Sequence, residues 1–180
     1  MEKEDIRRSY DEIGGRLYDL RYSEEQGRKF CAALSRVSFF QDDLILDAGC
    51  GTGLLLEKIS SCVGVAVGLD LSIGLISWAR SKLKECQNIV LILSDADYLP
   101  FRQRIFDKLF AITLLQNIPN PKKALSEATS VTRQEAMIVV SGLKKKYSKE
   151  DLTTLIASVG LTLQELVNGE LKDLVAICRK

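Results

Sequence analysis

Short hydrophobic runs alternate with amphipathic segments along most of this chain. Seven runs rich in valine, isoleucine and leucine predict β-strands, at 44–47, 65–70, 89–94, 108–113, 136–141, 162–167 and 174–178. The first three and the fifth carry almost no internal charge, which is typical of strands that are buried on both faces. Strands of that kind belong to parallel sheets covered by helices on both sides.

Signals for helices stand between these runs. Helices are predicted at 54–61, 73–85, 122–132 and 149–160. The last three begin at Ser72, Asn120 and Ser148, whose side-chain oxygens can accept an unpaired backbone N–H. The alternation of strand and helix predicts a Rossmann-like, doubly wound α/β fold, with a mostly parallel sheet in a three-layer α/β/α arrangement. The turn signal Asn168-Gly169 joins the last two runs as a hairpin, so we expect one antiparallel edge strand.

The chain of 180 residues has the composition of one globular domain. It is 46% hydrophobic and 27% charged, and no proline-rich linker divides it. We therefore expect a single domain over 1–180, with a helical N-terminal segment at 1–40 and the α/β core at 41–180. The charged N-terminus leads into no apolar run, and no uncharged stretch approaches the roughly 20 residues of a membrane span. These features predict a cytoplasmic protein with no membrane partner.

Composition also excludes several kinds of chemistry. Histidine is absent, which excludes Ser-His and Cys-His nucleophile pairs, a histidine base and histidine metal ligands. The five cysteines form no C-x-x-C pair, so we expect neither a zinc site nor any other metal. A net charge of +1 provides no overall attraction for nucleic acid, so such a partner would need a local basic patch.

A glycine loop follows the first predicted strand. Gly49, Gly51 and Gly53 alternate where the strand turns into a helix, directly after Asp47. Glycine permits a positive φ and removes the Cβ atom, so a ligand can lie against bare backbone. In doubly wound sheets, ligands bind beyond the carboxyl ends of the strands. This position favours a ligand site over a ligand-free tight turn.

Acidic residues end the next two predicted strands. Asp70 ends the second strand about 20 residues after the loop, which is the usual position for a carboxylate that binds ribose hydroxyls. Asp95 follows the third strand, where it can accept a hydrogen bond from an adenine amino group. The dinucleotide pattern G-x-G-x-x-G fails, because its third glycine would fall at Leu54, and no G-K-[ST] phosphate loop is present. Asp47 favours a ligand with an ammonium or sulfonium group over a diphosphate.

These motifs resemble the class I S-adenosylmethionine-dependent methyltransferases, and their small type 11 branch in particular. The resemblance covers nearly the whole chain and rests on Leu-Asp-Ala-Gly-Cys-Gly-Thr-Gly at 46–53, Gly-Leu-Asp-Leu-Ser at 68–72, Ser-Asp-Ala-Asp-Tyr-Leu-Pro-Phe at 94–101, and Phe106-Asp107 before the fourth strand. It implies a seven-stranded sheet, S-adenosylmethionine as cofactor and S-adenosylhomocysteine as product.

The resemblance also implies roles for individual residues. Asp47 and the loop at 49–53 are expected near the methionine part, Asp70 on the ribose, and Leu71 against the adenine. The implied cofactor-binding set is Asp47, Ala48, Gly49, Cys50, Gly51, Gly53, Asp70, Leu71, Asp95, Ala96 and Thr113, with Tyr10 and Tyr18 as lid residues. The two tyrosines fit equally well as ordinary aromatic residues of an amphipathic helix.

The acceptor is less constrained by the sequence. Many relatives in this branch carry a histidine after the fourth strand, and Gln116 stands at that position here, followed by Asn117. Both amides can orient an acceptor, but neither can take a proton at neutral pH. The N/D-P-P-Y/F motif of base-amino methyltransferases is absent from the tip of the fourth strand. Asn117-Ile118-Pro119 resembles it loosely, several residues later, and we interpret this similarity as chance.

Three functions therefore remain open. The first is a methyltransferase for a small molecule, which the family analogy favours. The second is an RNA or protein methyltransferase that works with a small activating subunit. Two features favour it weakly: the chain has little room for a substrate cap between the fifth and sixth strands, and the basic run Lys144–Lys146 stands beside Tyr147. A solvated surface run is the commoner explanation of such lysines. The third is a non-catalytic scaffold that binds S-adenosylmethionine.

Overall fold

The computed structural model describes residues 3–180. Two helices open the chain, α1 (Lys3–Ile13) and α2 (Gly15–Leu34). The strands are β1 (Leu44–Ala48), β2 (Val65–Asp70), β3 (Ile89–Leu93), β4 (Phe106–Ala111), β5 (Thr132–Leu143), β6 (Thr162–Val167) and β7 (Asp173–Arg179). The helices between them are α3 (Leu54–Ile59), α4 (Ile73–Lys82), α5 (Pro121–Val131) and α6 (Lys149–Ala157), with a 3₁₀ turn at Leu115–Asn117.

The seven strands form one sheet in the order β3-β2-β1-β4-β5-β7-β6. Neighbouring strands among β1 to β5 pair in parallel, and β7 runs antiparallel to both β5 and β6. The predicted Rossmann-like fold is thus confirmed, as is the hairpin at one edge. The antiparallel strand β7 takes the inner position of that edge pair. The strand order reverses between β1 and β4, so a crevice opens beyond their carboxyl ends.

One prediction about burial is wrong. The hydrophobic run at 89–94 was expected to be covered on both faces, but β3 is the edge strand opposite the hairpin. None of its five residues is buried, and Val90 and Leu93 are 46% and 49% exposed. A run of apolar residues does not reveal the position of its strand in the sheet, because that order depends on contacts distant in sequence.

The core lies on both faces of the sheet, because successive strand residues point to opposite sides. Leu46 and Leu109 pack in the cluster on one face, and Ile45 and Phe110 pack in the cluster on the other. All four side chains are fully buried. Each contributes about 1.5–3 kcal/mol through burial. This two-sided packing holds the strand ends, and therefore the loops that follow them, in fixed positions.

The predicted helix starts are confirmed. Ser72 Oγ accepts a hydrogen bond from Leu75 N at 3.1 Å, and Asn120 Oδ1 accepts one from Lys123 N at 3.0 Å. Ser148 forms a capping box with Asp151. Each cap satisfies a backbone N–H that has no partner within its helix. None of the helices that the structure describes in residues 3–180 combines the length and the apolar composition needed to cross a membrane.

We expect Gly64→Ala to destabilise the fold by about 1–3 kcal/mol, as overpacking does. A Cβ atom at Gly64, just before β2, would lie 2.3 Å from the backbone oxygen of Gln41, which cannot move without shifting its loop. Gly169→Ala is the matched control, since a Cβ there meets nothing within 4 Å. Urea denaturation of both variants measures the difference, and equal midpoints would contradict this account.

Candidate functional site

A deep pocket lies beyond the carboxyl ends of β1, β2 and β3. The loop after β1 and the acids at the ends of β1 and β2 and just after β3 form its base, and the N-terminal helices form its outer wall. Its lining contains most of the residues predicted for the cofactor: Tyr10, Tyr18, Asp47, Gly49, Cys50, Gly51, Asp70, Leu71, Asp95, Ala96 and Thr113. Ala48, the last residue of β1, and Gly53, directly before α3, stand outside this lining. We call this cavity the first pocket.

The glycine loop depends on backbone angles that other residues adopt at a cost. Gly49, Gly51 and Gly53 have φ values of 78°, 54° and 74°. The N–H groups of Gly49 and Cys50 both donate to Leu69 O at 2.9 Å, which fastens the loop to β2. A side chain at these positions would strain the backbone. Main-chain atoms therefore face the pocket at this point.

Asp47 is a buried carboxyl at the end of β1 with no cation beside it. It is 3% exposed, and no residue in the described range 3–180 donates a hydrogen bond to it or forms an ion pair with it. Burial, reinforced by the charge of Asp70, raises the pKa of Asp47 to about 8. Such a group is stabilised by a ligand that brings a positive charge.

Asp70 ties the glycine loop to the start of α4. Its Oδ2 accepts a hydrogen bond from Gly51 N and its Oδ1 accepts one from Ser72 N, both at 2.9 Å. Burial raises the pKa of Asp70, although these backbone donors act in the opposite direction. Each carboxylate oxygen retains a further lone pair that can accept from a ligand hydroxyl.

Asp95 is joined to the first helix across the mouth of the pocket. Lys3 Nζ donates to both Asp95 oxygens at 2.8 Å and also contacts Asp97. At the other end of α1, Asp11 Oδ1 accepts from Gly74 N at 3.0 Å and from Ser72 Oγ. No residue of α1 is buried. Polar contacts at its two ends therefore hold α1 over the first pocket.

The predicted lid tyrosines lie side by side. The ring centroids of Tyr10 and Tyr18 are 6.0 Å apart, and those of Tyr18 and Tyr22 are 4.9 Å apart. Burial raises the pKa of Tyr10 to about 12 and raises the pKa of Tyr18 further. Both phenols therefore stay protonated at neutral pH. They supply aromatic faces and O–H groups to the site.

The tip of β4 is held in an uncommon conformation. Thr113 has a φ of 64°, which is rare for a β-branched residue and costs on the order of 1–3 kcal/mol. Its N–H donates to Ser141 Oγ at 2.8 Å and its Oγ1 donates to Gln26 Oε1 at 3.0 Å. Lys29 Nζ donates to Thr113 Oγ1 at 3.1 Å. Strain of this kind persists where surrounding contacts fix the backbone, as they do here.

Behind Thr113 lies a buried ion pair that the sequence did not indicate. Lys29 Nζ is 3.0 Å from Asp173 Oδ1, and the two residues are 1% and 0% exposed. These two atoms are close enough for an ion pair, but Asp173 Oδ1 accepts no hydrogen bond from Lys29 or from any other residue in 3–180. Asp173 Oδ2 accepts from Ser141 Oγ at 3.1 Å, which links the pair back to Thr113. We call the four residues Lys29, Thr113, Ser141 and Asp173 the β4-tip network.

A second pocket opens on the other side of this tip. It shares part of its wall with the first pocket, namely Ile6, Tyr10, Tyr18, Gln26, Thr113 and Asn117. Gln116 lines only the second pocket, whereas Asn117 lies at the junction of the two. The candidate acceptor residues are therefore adjacent to the predicted cofactor residues.

The lysine run after β5 is largely tied to the protein itself. Lys144 Nζ donates to Gly169 O at 2.7 Å, and Lys146 Nζ donates to Gln116 O at 2.6 Å. Tyr147 Oη donates to Leu115 O at 3.2 Å. These contacts support the wall of the second pocket. Within residues 3–180, no cluster of three or more cysteine, aspartate or glutamate side chains has the arrangement of a metal site.

Known proteins share both this sequence pattern and this fold. A model of the methyltransferase domain family, type 11, matches residues 46–140. An uncharacterised protein of Methanocaldococcus jannaschii is 30% identical over 138 residues, which make up 77% of this chain and 51% of that protein. The demethylmenaquinone methyltransferase of Tropheryma whipplei is 29% identical over 109 residues, which make up 61% of this chain and 45% of that enzyme. The chain spans about half the length of these curated relatives.

Solved structures agree on the fold. One chain in the complex between the Haloferax volcanii Trm112 methyltransferase activator and a methyltransferase superposes with a TM-score of 0.84 at 15% identity, covering 94% of this chain and 96% of that one. Magnesium protoporphyrin IX methyltransferase from Synechocystis, solved with bound S-adenosylmethionine, superposes with a TM-score of 0.73 at 16% identity, covering 91% and 83%. Because the family model matches more than half of the chain, this protein belongs to the type 11 methyltransferase domain family.

Proposed function

We propose that this chain binds S-adenosylmethionine in the first pocket and transfers its methyl group to an acceptor in the second. The observation that carries the proposal is the buried, unpaired carboxyl of Asp47 beside a loop of bare backbone. S-adenosylmethionine carries both an ammonium and a sulfonium group, and either one complements this carboxyl. A dinucleotide diphosphate offers this carboxyl no positive charge.

The other parts of the cofactor match the next two strand ends. We assign the methionine part to Asp47 and the loop at 49–53, the ribose hydroxyls to Asp70, and the adenine face to Leu71. We assign the adenine edge to Asp95 and the backbone of Ala96. In the structure Lys3 Nζ already donates to both Asp95 oxygens, so an adenine amino group would share or displace these hydrogen bonds. Tyr10, Tyr18 and Thr113 would close the remaining sides.

The chain's own task is to hold two reactants and exclude water. The cofactor supplies an electrophilic methyl group on sulfur. Thr113 and Asn117 lie between the two pockets, so the shared wall at the β4 tip decides how an acceptor approaches. Holding two reactants in line can account for about 7–11 kcal/mol of the barrier. Helix α1 covers the pocket and limits the access of water.

A small molecule is the acceptor that we propose first. The support is an analogy: curated relatives include a demethylmenaquinone methyltransferase and a ubiquinone biosynthesis O-methyltransferase, and a structural neighbour acts on magnesium protoporphyrin IX. The second pocket, with three tyrosine rings in its lining, has the character of a small-molecule site.

Calorimetry with S-adenosylhomocysteine tests the donor site. We expect measurable binding to the wild-type protein and an affinity at least tenfold lower for Asp70→Ala, because Asp70 fastens Gly51 and Ser72. Asp42→Ala, which removes an exposed carboxylate outside both pockets, is the matched control and should bind like the wild type. Absence of binding to the wild type, or an unchanged affinity in Asp70→Ala, would overturn the proposal.

A second candidate is a macromolecular acceptor methylated with the help of a small activating protein. Two observations favour it. The Haloferax volcanii neighbour was solved with the Trm112 methyltransferase activator, and β3 leaves Val90 and Leu93 exposed on an open sheet edge that a partner strand can cover. Labelled methyl transfer into RNA, protein and small-metabolite fractions of the source cell distinguishes the candidates. Binding of the cofactor with label in no fraction would favour a scaffold.

A further inference from the structure

The second pocket has a lining that is rich in aromatic rings and has no free positive charge among the described residues. Three tyrosines, Tyr10, Tyr18 and Tyr22, contribute rings that suit a planar aromatic or heteroaromatic ligand. Ile13 and Leu143 add apolar surface. The polar groups that remain decide which planar ligand fits.

Two amide side chains of this lining have an oxygen that accepts no hydrogen bond from the described residues. Asn117 Nδ2 donates to Thr113 O at 2.7 Å, which fixes the orientation of the amide and leaves Oδ1 without a hydrogen bond from any residue in 3–180. Gln116 is 8% exposed, and its Oε1 is buried and receives no hydrogen bond from any residue in the described range. A buried acceptor without a partner costs about 1–3 kcal/mol. A ligand with N–H groups would remove that cost once the Gln116 side chain turns its amide oxygen toward the pocket.

The same pocket offers an anionic acceptor no free positive charge. Among the described residues of its lining, the only cation is Lys29, whose Nζ is surrounded by three protein oxygens, from Thr113 at 3.1 Å, Asp173 at 3.0 Å and Glu25 at 3.2 Å. Glu25 also places a carboxylate in the lining. A carboxylate or phenolate ligand would therefore meet negative charge without a free positive charge to balance it.

The second pocket has no free base that could remove a proton before the methyl transfer. The one carboxylate among the described residues of its lining, Glu25, contacts Lys172 and Lys29, and the hydrogen bond from Lys172 lowers its pKa, which makes it a weak base. The chain has no histidine, Tyr10 and Tyr18 stay protonated, and amides are not bases. An oxygen or carbon acceptor usually has to lose a proton before it attacks, whereas a neutral amine already has a free lone pair.

We infer that the acceptor is an amine nitrogen on a planar aromatic or heteroaromatic group, held by Gln116 and Asn117 through its N–H bonds. This inference rests on the proposed function. The nitrogen lone pair forms a bond to the methyl carbon, and the carbon–sulfur bond breaks with its electron pair remaining on sulfur. The methylated nitrogen then carries a positive charge and releases one proton to water.

Three matched probes test the acceptor class: 6-aminoquinoline, 6-hydroxyquinoline and quinoline-6-carboxylate. With the protein saturated in S-adenosylhomocysteine, saturation-transfer NMR should detect the amine and not the carboxylate. With methyl-labelled S-adenosylmethionine, label should reach the nitrogen of the amine and not the oxygen of the hydroxyl probe. Preference for the carboxylate, or transfer to oxygen alone, would overturn the inference.

Variants at Gln116 separate recognition from folding. Gln116→Met should lower the affinity for 6-aminoquinoline at least tenfold while S-adenosylhomocysteine binds within twofold of the wild type. Gln116→Glu keeps an acceptor oxygen and should retain the amine within threefold. Arg28→Ala, on the exposed side of α2, is the control and should change neither affinity. Equal amine binding by all variants would overturn this inference, whereas loss of S-adenosylhomocysteine binding by the wild type would overturn the proposed function.

Discussion

Asp47→Asn is expected to weaken S-adenosylmethionine binding by roughly 10- to 100-fold, because a hydrogen bond or ion contact to a charged group contributes about 1.5–3 kcal/mol. The buried carboxyl has no cation of its own within residues 3–180, so it is free to interact with the positive charge of the ligand. Calorimetry at pH 8.5, where the carboxyl is ionised, measures the change. Asp42→Ala is the control, and an affinity within twofold of the wild type in Asp47→Asn would contradict this role.

The same carboxyl makes stability depend on pH in a defined direction. Burial and the charge of Asp70 raise the folded-state pKa of Asp47 to about 8, well above that of an unfolded aspartate. The folded state therefore binds the extra proton, and the free energy of unfolding falls as pH rises, by up to about 1.4 kcal/mol per unit between pH 4 and 8. Asp47→Asn should lack this slope. Urea denaturation at pH 5, 6.5 and 8 measures this slope. If the unfolding free energies of the wild type and Asp47→Asn changed with pH in the same way, the raised pKa of Asp47 would be contradicted.

Lys29→Met is expected to cost roughly 3–5 kcal/mol of unfolding free energy, the largest effect on stability that we anticipate. It leaves the carboxylate of Asp173 buried without a counter-charge and removes one of the ties that hold Thr113 in its positive-φ conformation. Chemical denaturation at pH 7 provides the measurement. The double variant Lys29→Met/Asp173→Asn should recover at least half of the loss, because neither charge then remains in the core.

A surface lysine supplies the comparison for that experiment. Lys172 contacts Glu25, the same acid that lies near Lys29, but its side chain is 71% exposed. Exposed ion pairs contribute less than about 1 kcal/mol, so Lys172→Ala should be nearly neutral. If Lys29→Met were as mild as Lys172→Ala, the β4-tip network would not be what holds the strand end in place.

The fold and the grouping of residues around the first pocket were predictable because their signals are local. A glycine loop directly after an apolar run, with acids at the ends of the next two runs, identifies strand ends that parallel pairing must bring together. Thus Asp47 and Asp70, 23 residues apart in the numbering, line one pocket as expected. Helix caps are equally local, and Ser72 and Ser148 act as predicted.

The rest of the site was out of reach because its partners are distant in sequence. Lys29 and Asp173 stand near opposite ends of the chain, and each looks like an ordinary surface charge in its own segment. Only the placement of α2 against β7 buries them together. The edge position of β3 was missed for a similar reason, because the order of strands is a property of the assembled sheet. Lys3 was not singled out either, although it pairs with Asp95.

Helix α1 contributes polar ties at its ends and no buried side chain to the fold. The hinge that follows it is Gly14, whose φ of 68° lets the chain turn between the first two helices. Detaching this helix removes no side chain from the two core clusters and therefore leaves the sheet intact. Dissolved ions screen contacts of the Lys3–Asp95 kind far more than they affect hydrophobic burial. We therefore expect ionic strength to affect the opening of α1 over the first pocket much more than it affects the stability of the folded chain.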